Sequence, residues 1–129
     1  MDRYNVELAS PAVKTYESLM HRFTAGEDGV KASNQIRVVD KLMDETIPFD
    51  PYCGVRLTVG AIEGVFWKSE QSAHLLYDVY PELHIIVILC ILDGNEILEA
   101  VREADIKLAR LCVSGRVQIL PRANGLRVA

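Results

Sequence analysis

The stretch VFWKSEQSAHLLYDVYPELHIIVILCIL, residues 65–92, decides the fold of this chain. It divides at two short turns. Residues 65–70 and 73–80 carry aromatic and aliphatic side chains at strand spacing, with Gln71-Ser72 between them. Pro81-Glu82 then opens a turn into residues 83–92, which are apolar almost without a break. A two-residue connection cannot make a parallel crossover, so the three segments are expected to form an antiparallel meander. The last lacks the alternation of a strand with one wet face. It is expected at the centre of the sheet, covered on both sides.

Upstream, residues 55–59 read as a short strand or extended lead-in, bounded by Gly60 and Gly64. Pro48 and Pro51 close a helix that starts near Asp28. Its expected buried face is Ala32, Ile36, Val39, Leu42 and Met43, with Lys31, Asn34, Arg37 and Lys41 opposite. An earlier helix has Ser10 as cap, Pro11 at its first position, and Gly26 as a stop. Val13, Tyr16, Leu19, Met20 and Phe23 make its expected apolar stripe. Residues 4–9 alternate, with Tyr4, Val6 and Leu8 on one face, and read as a half-buried strand.

Downstream, Asp93-Gly94 ends the meander and a third helix fits residues 96–112, with Asn95 as its cap. Ile97, Val101, Ala104, Leu108, Leu111 and Cys112 are expected along its apolar side. Glu96 and Glu99 near its start, and Lys107 and Arg110 near its end, complement the helix dipole. Gly115 ends it, and residues 116–120 offer one more short strand before Pro121. The fold class is therefore α+β: an N-terminal strand, a two-helix hairpin, an antiparallel sheet of three to four strands, and a C-terminal helix. One domain spans residues 1–129, with the helical extension at about 95–114. That helix either packs on the outer face of the sheet, over Phe66, Leu76 and residues 85–92, or projects to meet a partner.

Half of the 129 residues are hydrophobic, enough for a core without staples. The net charge of −4 argues against a chain-wide basic face for nucleic acid, though not against a local patch. Cys53, Cys90 and Cys112 have no CxxC spacing and are odd in number. Cys90 and Cys112 read as buried thiols of a reducing compartment, and Cys53 alone is open to a reactive reading. The N-terminus has no signal-peptide character, and no apolar run approaches the ~20 residues of a membrane span. A cytoplasmic protein without a membrane partner is expected.

The element order, together with Gly54-Val55-Arg56-Leu57, Gly64-Val65-Phe66-Trp67-Lys68 and Ala73-His74-Leu75-Leu76-Tyr77-Asp78-Val79, resembles the RelE/ParE toxin superfamily over about residues 4–92. That resemblance implies one of two activities. RelE-like members cleave messenger RNA on the ribosome without a metal, and ParE-like members poison DNA gyrase. Either is normally held inactive by an antitoxin protein.

Cutting RNA through its own 2′-hydroxyl requires a base, cations for the phosphate, and an acid for the leaving oxygen. Strand alternation is expected to turn Leu75, Tyr77 and Val79 to the helices and His74, Leu76, Asp78 and Tyr80 outward. Phe66 and Lys68 are expected to share that outer face. On the resemblance, Lys68 stands where the family has a catalytic lysine or arginine, and His74 where it has a phosphate-binding arginine. Tyr80 could serve as an acid or stack on a base. The candidate catalytic residues are thus Lys68, His74 and Tyr80; the plainer readings are an edge-protecting lysine, a solvated histidine and a turn tyrosine. Two positions depart from the pattern: the histidine itself, and Leu92-Asp93-Gly94-Asn95-Glu96 where later catalytic residues normally follow.

No cofactor or metal is expected, because the three histidines fall on different elements without i, i+4 pairing. The glycines form no phosphate cradle, and no nucleophile elbow is present. Two functions follow. One is a toxin-like component acting on ribosome-bound messenger RNA or on a protein such as gyrase. The alternative is a non-catalytic interaction module on the same fold that dimerises, with the C-terminal helix as the candidate homodimer contact, or binds a small partner.

Overall fold

In the computed structural model, residues 3–24, 29–71, 73–93 and 101–111 are described. The elements run β1 (Asn5–Leu8), α1 (Ser10–Thr24), α2 (Gly29–Lys41), β2 (Val55–Val59), β3 (Ile62–Glu70), β4 (Ala73–Tyr80), β5 (Ile85–Asp93) and α3 (Glu103–Leu111). The α+β class and the helices-then-meander order stand as expected. The sheet has five strands rather than three or four, in the order β1-β5-β4-β3-β2, and it is mixed. The extra strand is β1, which lies parallel to β5 with Asn5 opposite Ile85 and Leu8 opposite Ile88. Local patterning shows that residues 4–9 form a strand; it carries no information about a partner eighty positions away.

Both faces of the sheet are covered, which explains the apolar run of β5. Ile86, Ile88 and Ile91 pack with Leu75, Tyr77, Val79, Val39, Leu42 and Met43 under the helical hairpin. Ile85, Val87 and Leu89 pack with Val65, Leu76, Tyr80, Ile106 and Ala109 on the other side, under α3. A bulge in β5 shifts the register between Leu76 and Tyr77, which face Cys90 and Ile88. Leu89 is the extra residue, so Leu89 and Cys90 both belong to the α3 side. A second bulge falls at Gly64 (φ +82°), between the pairs Leu57–Val65 and Thr58–Glu63. It puts Ile62 and Val65 on one face although they are three residues apart. It also lets β3 run back to Ile62, three residues earlier than strand spacing alone suggests.

Several facing assignments are corrected by this geometry. Phe66 pairs with Tyr77 and Lys68 with Leu75, so both lie on the hairpin side and not on the outer face. Directly opposed residues share a face, and the register decides which face that is. In α1 the backbone N–H of Val13 bonds the Ala9 carbonyl at 3.0 Å, so Ala9 rather than Ser10 occupies the cap position. Its inward stripe is accordingly Ala12 and Leu19, both buried, with Tyr16 half-buried, while Val13 and Met20 are exposed. In α2, Val39, Leu42 and Met43 are buried as expected, with Gln35 and Val38 added, and Ile36 is half-buried. The helix closes in a widened turn, Leu42–Thr46, where the N–H of Ile47 reaches the carbonyl of Leu42.

The third helix was expected with Ala104, Leu108 and Leu111 inward. Instead Ile106 and Ala109 are fully buried, and Leu108 and Leu111 are 58% and 73% exposed. The choice between packing and projecting is resolved toward packing. The expectations for Gly26, Asp28, Asn95, Glu96, Cys112, Gly115 and residues 116–120 lie outside the described residues. No helix among the described residues is long and apolar enough to cross a membrane.

Candidate functional site

A nine-residue helix is marginal by itself, so α3 depends on what it touches. Burial of Ile106 contributes on the order of 2–3 kcal/mol. Two polar attachments add to it. Asp78 on β4 is wholly buried, and Arg110 donates to it twice, Nε to Oδ2 and Nη2 to Oδ1, each at 2.8 Å. This paired geometry is the favourable one for a guanidinium and a carboxylate. Burial alone pulls the Arg110 pKa down, and the hydrogen bonds and charge of Asp78 more than offset it, leaving it raised.

The second attachment joins the start of α3 to the β2–β3 turn. Glu103 Oε1 accepts the backbone N–H of Ala61 at 2.7 Å, and Glu103 Oε2 is 2.8 Å from Lys107 Nζ. Gly60 has a positive φ of 61°, as a tight turn requires, and a Cβ there would collide with the Glu103 carboxylate. The Lys107 hydrogen bond, then the Ala61 N–H, hold the Glu103 pKa below the ordinary carboxylate value.

The candidate trio is not brought together. His74 lies on the α3 side of the sheet, where its Nδ1 accepts a hydrogen bond from Trp67 Nε1 at 3.1 Å. An indole N–H only donates, so the neutral imidazole carries its proton on Nε2. Lys68 is on the opposite face, opposite Leu75. Tyr80 is on the His74 side but only 4% exposed, packed among Ile85, Leu89 and Ile106 and close to Arg110. The residues that sequence reasoning missed are Asp78 with Arg110, and Glu103. Asp78 gave a signal, because it is a carboxylate between Tyr77 and Val79 in an otherwise apolar strand. Arg110, four residues after Ile106, becomes its partner only once the helix is correctly phased.

A cavity of about 400 Å³ opens elsewhere, between α1, α2 and the end of the sheet where β4 begins and β5 finishes. Lys14, Ser18 and Arg22, spaced four residues apart on α1, form one wall. Gln35 of α2, only 2% exposed, faces it.

Neither a family model nor a curated protein matches this chain. Among solved structures, it is similar to a chain of the toxin–antitoxin complex RelBE2 from Mycobacterium tuberculosis, the RelE2 toxin. The TM-score is 0.55 and the identity 20%, over 70% of this chain and 98% of that one. The fold is that of a RelE/ParE-type toxin. Nearly all of RelE2 is matched, while 30% of this chain lies beyond the match. The likeness agrees with the resemblance read from the sequence.

Proposed function

We propose that this chain is the toxin-like half of a toxin–antitoxin pair and that it acts by binding a protein target, as a gyrase poison would, rather than by cutting messenger RNA. The likeness to RelE2, a protein solved within a toxin–antitoxin complex, supports the toxin-like role and an antitoxin as partner. The observation that carries the choice of mode is the β3–β4 register, which sets Lys68 and His74 on opposite faces of the sheet. A single RNA phosphate cannot be served by two groups that the sheet separates. Arg110, the described cation on α3 that points to the outer face, is already spent on Asp78. The net charge of −4 agrees with a protein rather than a polyanion as target.

Expression of the chain alone, under a tightly regulated promoter, tests the role. Growth should stop on induction and resume when the adjacent small open reading frame is co-expressed. Unchanged growth on induction, with the folded protein accumulating, would remove the toxin reading and leave the interaction module.

A further inference from the structure

Two buried polar atoms among the described residues have no hydrogen-bond partner, Arg22 Nε and Gln35 Oε1, and both residues line the cavity beside α1. Buried polar groups are almost always satisfied, so two orphans in one cavity point to a missing partner. They ask for opposite things. Arg22 offers a charged N–H and wants an anion; Gln35 offers an acceptor and wants a donor. Lys14 adds a second positive charge, and no carboxylate is among the described residues lining the cavity. Ser18 stands between the two cations, a turn from each. Apart from Thr15, whose hydroxyl donates to the Pro11 carbonyl, the remaining described lining is aliphatic, made by Leu19, Val39, Ala73, Ile91 and Leu92. A volume of about 400 Å³ lies in the range of small-molecule sites, roughly 300–1,000 Å³.

We infer that this cavity binds a small 2-substituted carboxylate with an aliphatic side chain, an amino or hydroxy acid of about the size of leucine. Its carboxylate meets Arg22 and Lys14, its 2-amino or 2-hydroxyl group donates to Gln35 Oε1, and its side chain covers the aliphatic floor. The site is separate from the outer face of the sheet, and the inference does not depend on the toxin reading. A ligand held there would bridge both helices of the hairpin to the sheet.

Calorimetric titration of the full chain tests this with four probes: L-leucine, 2-hydroxy-4-methylpentanoate, 4-methylpentanoate and L-leucinamide. The first two should bind saturably, and whichever is tighter identifies the donor group. Leucinamide, lacking the carboxylate, should bind at least about tenfold more weakly. So should 4-methylpentanoate, which leaves the Gln35 acceptor unpaired, by about tenfold. Arg22→Met should weaken the tighter probe about tenfold or more. Gln35→Leu should erase the preference for that probe over 4-methylpentanoate and raise the melting temperature of the unliganded protein. Failure of both donor-bearing acids to bind at millimolar concentration would overturn the inference. So would undiminished binding by a folded Arg22→Met variant, or a preference that survives Gln35→Leu.

Discussion

Arg110 and Asp78 form a two-point ion pair in which the carboxylate is fully buried and the guanidinium mostly so, and this pair fixes α3 to the sheet. Such a pair contributes little relative to a well-packed apolar replacement, but breaking it from one side is costly. Arg110→Met, which leaves the Asp78 charge uncompensated, should lower the unfolding free energy by about 3–5 kcal/mol. The double change Asp78→Leu with Arg110→Met should recover most of that loss. Urea unfolding of the three proteins checks it; a single variant as stable as the parent would show that the pair is not formed.

Glu103 gives α3 a dependence on acid. Its folded-state pKa is depressed, so its contribution is fully present above the unfolded carboxylate value of about 4.3 and disappears as pH falls through the folded value. The stability gap between the parent and Glu103→Gln should therefore be visible at neutral pH and close in acid, below about pH 4. Unfolding curves at several pH values measure the gap. A gap that stays constant with pH would mean that Lys107 and the Ala61 N–H do not hold the ionised form.

Tyr77 marks the centre of the hairpin-side core. Its hydroxyl donates to the Pro51 carbonyl at 2.8 Å, and its ring stacks on Phe66. Tyr77→Phe should cost about 1–2 kcal/mol by leaving that carbonyl without its donor. Burial, then the neighbouring Cys53, push its phenol pKa well up, and burial with a 2.7 Å hydrogen bond to Asp40 pushes Tyr16 up to about 12. With raised folded values, the stabilising contribution of both is present below the ordinary value of about 10 and fades as pH rises through the folded ones. Absorbance titration should accordingly show Tyr16 and Tyr77 ionising above the ordinary tyrosine value of about 10.

The meander from Val65 to Leu92 was legible because strand spacing, two short turns and an unbroken apolar strand all agree. The hairpin was legible as elements but misphased in part, since Val13 and Met20 continue a plausible stripe and only the position of the Ala9 cap excludes them. Facing along β3 was not legible. It rests on a bulge at Gly64 and on the register of a partner strand, which alternation within β3 cannot supply. For α3, apolar residues occur on both sides, so Ala104, Leu108 and Leu111 compete with Ile106 and Ala109. The contact between Arg110 and Asp78, thirty-two residues apart, settles the phase. The orphaned Gln35 was hidden because a glutamine between apolar positions reads as helix surface until α1 covers it.

Under the proposed function, this chain acts without a catalytic pair on its sheet. The most direct measurement is growth arrest by the Lys68→Ala, His74→Ala double variant beside the parent chain, with folded protein levels matched. Both should arrest growth to the same extent, with cellular messenger RNA left intact. Arrest by the parent that is lost in the double variant, together with fresh cuts in messenger RNA, would contradict it.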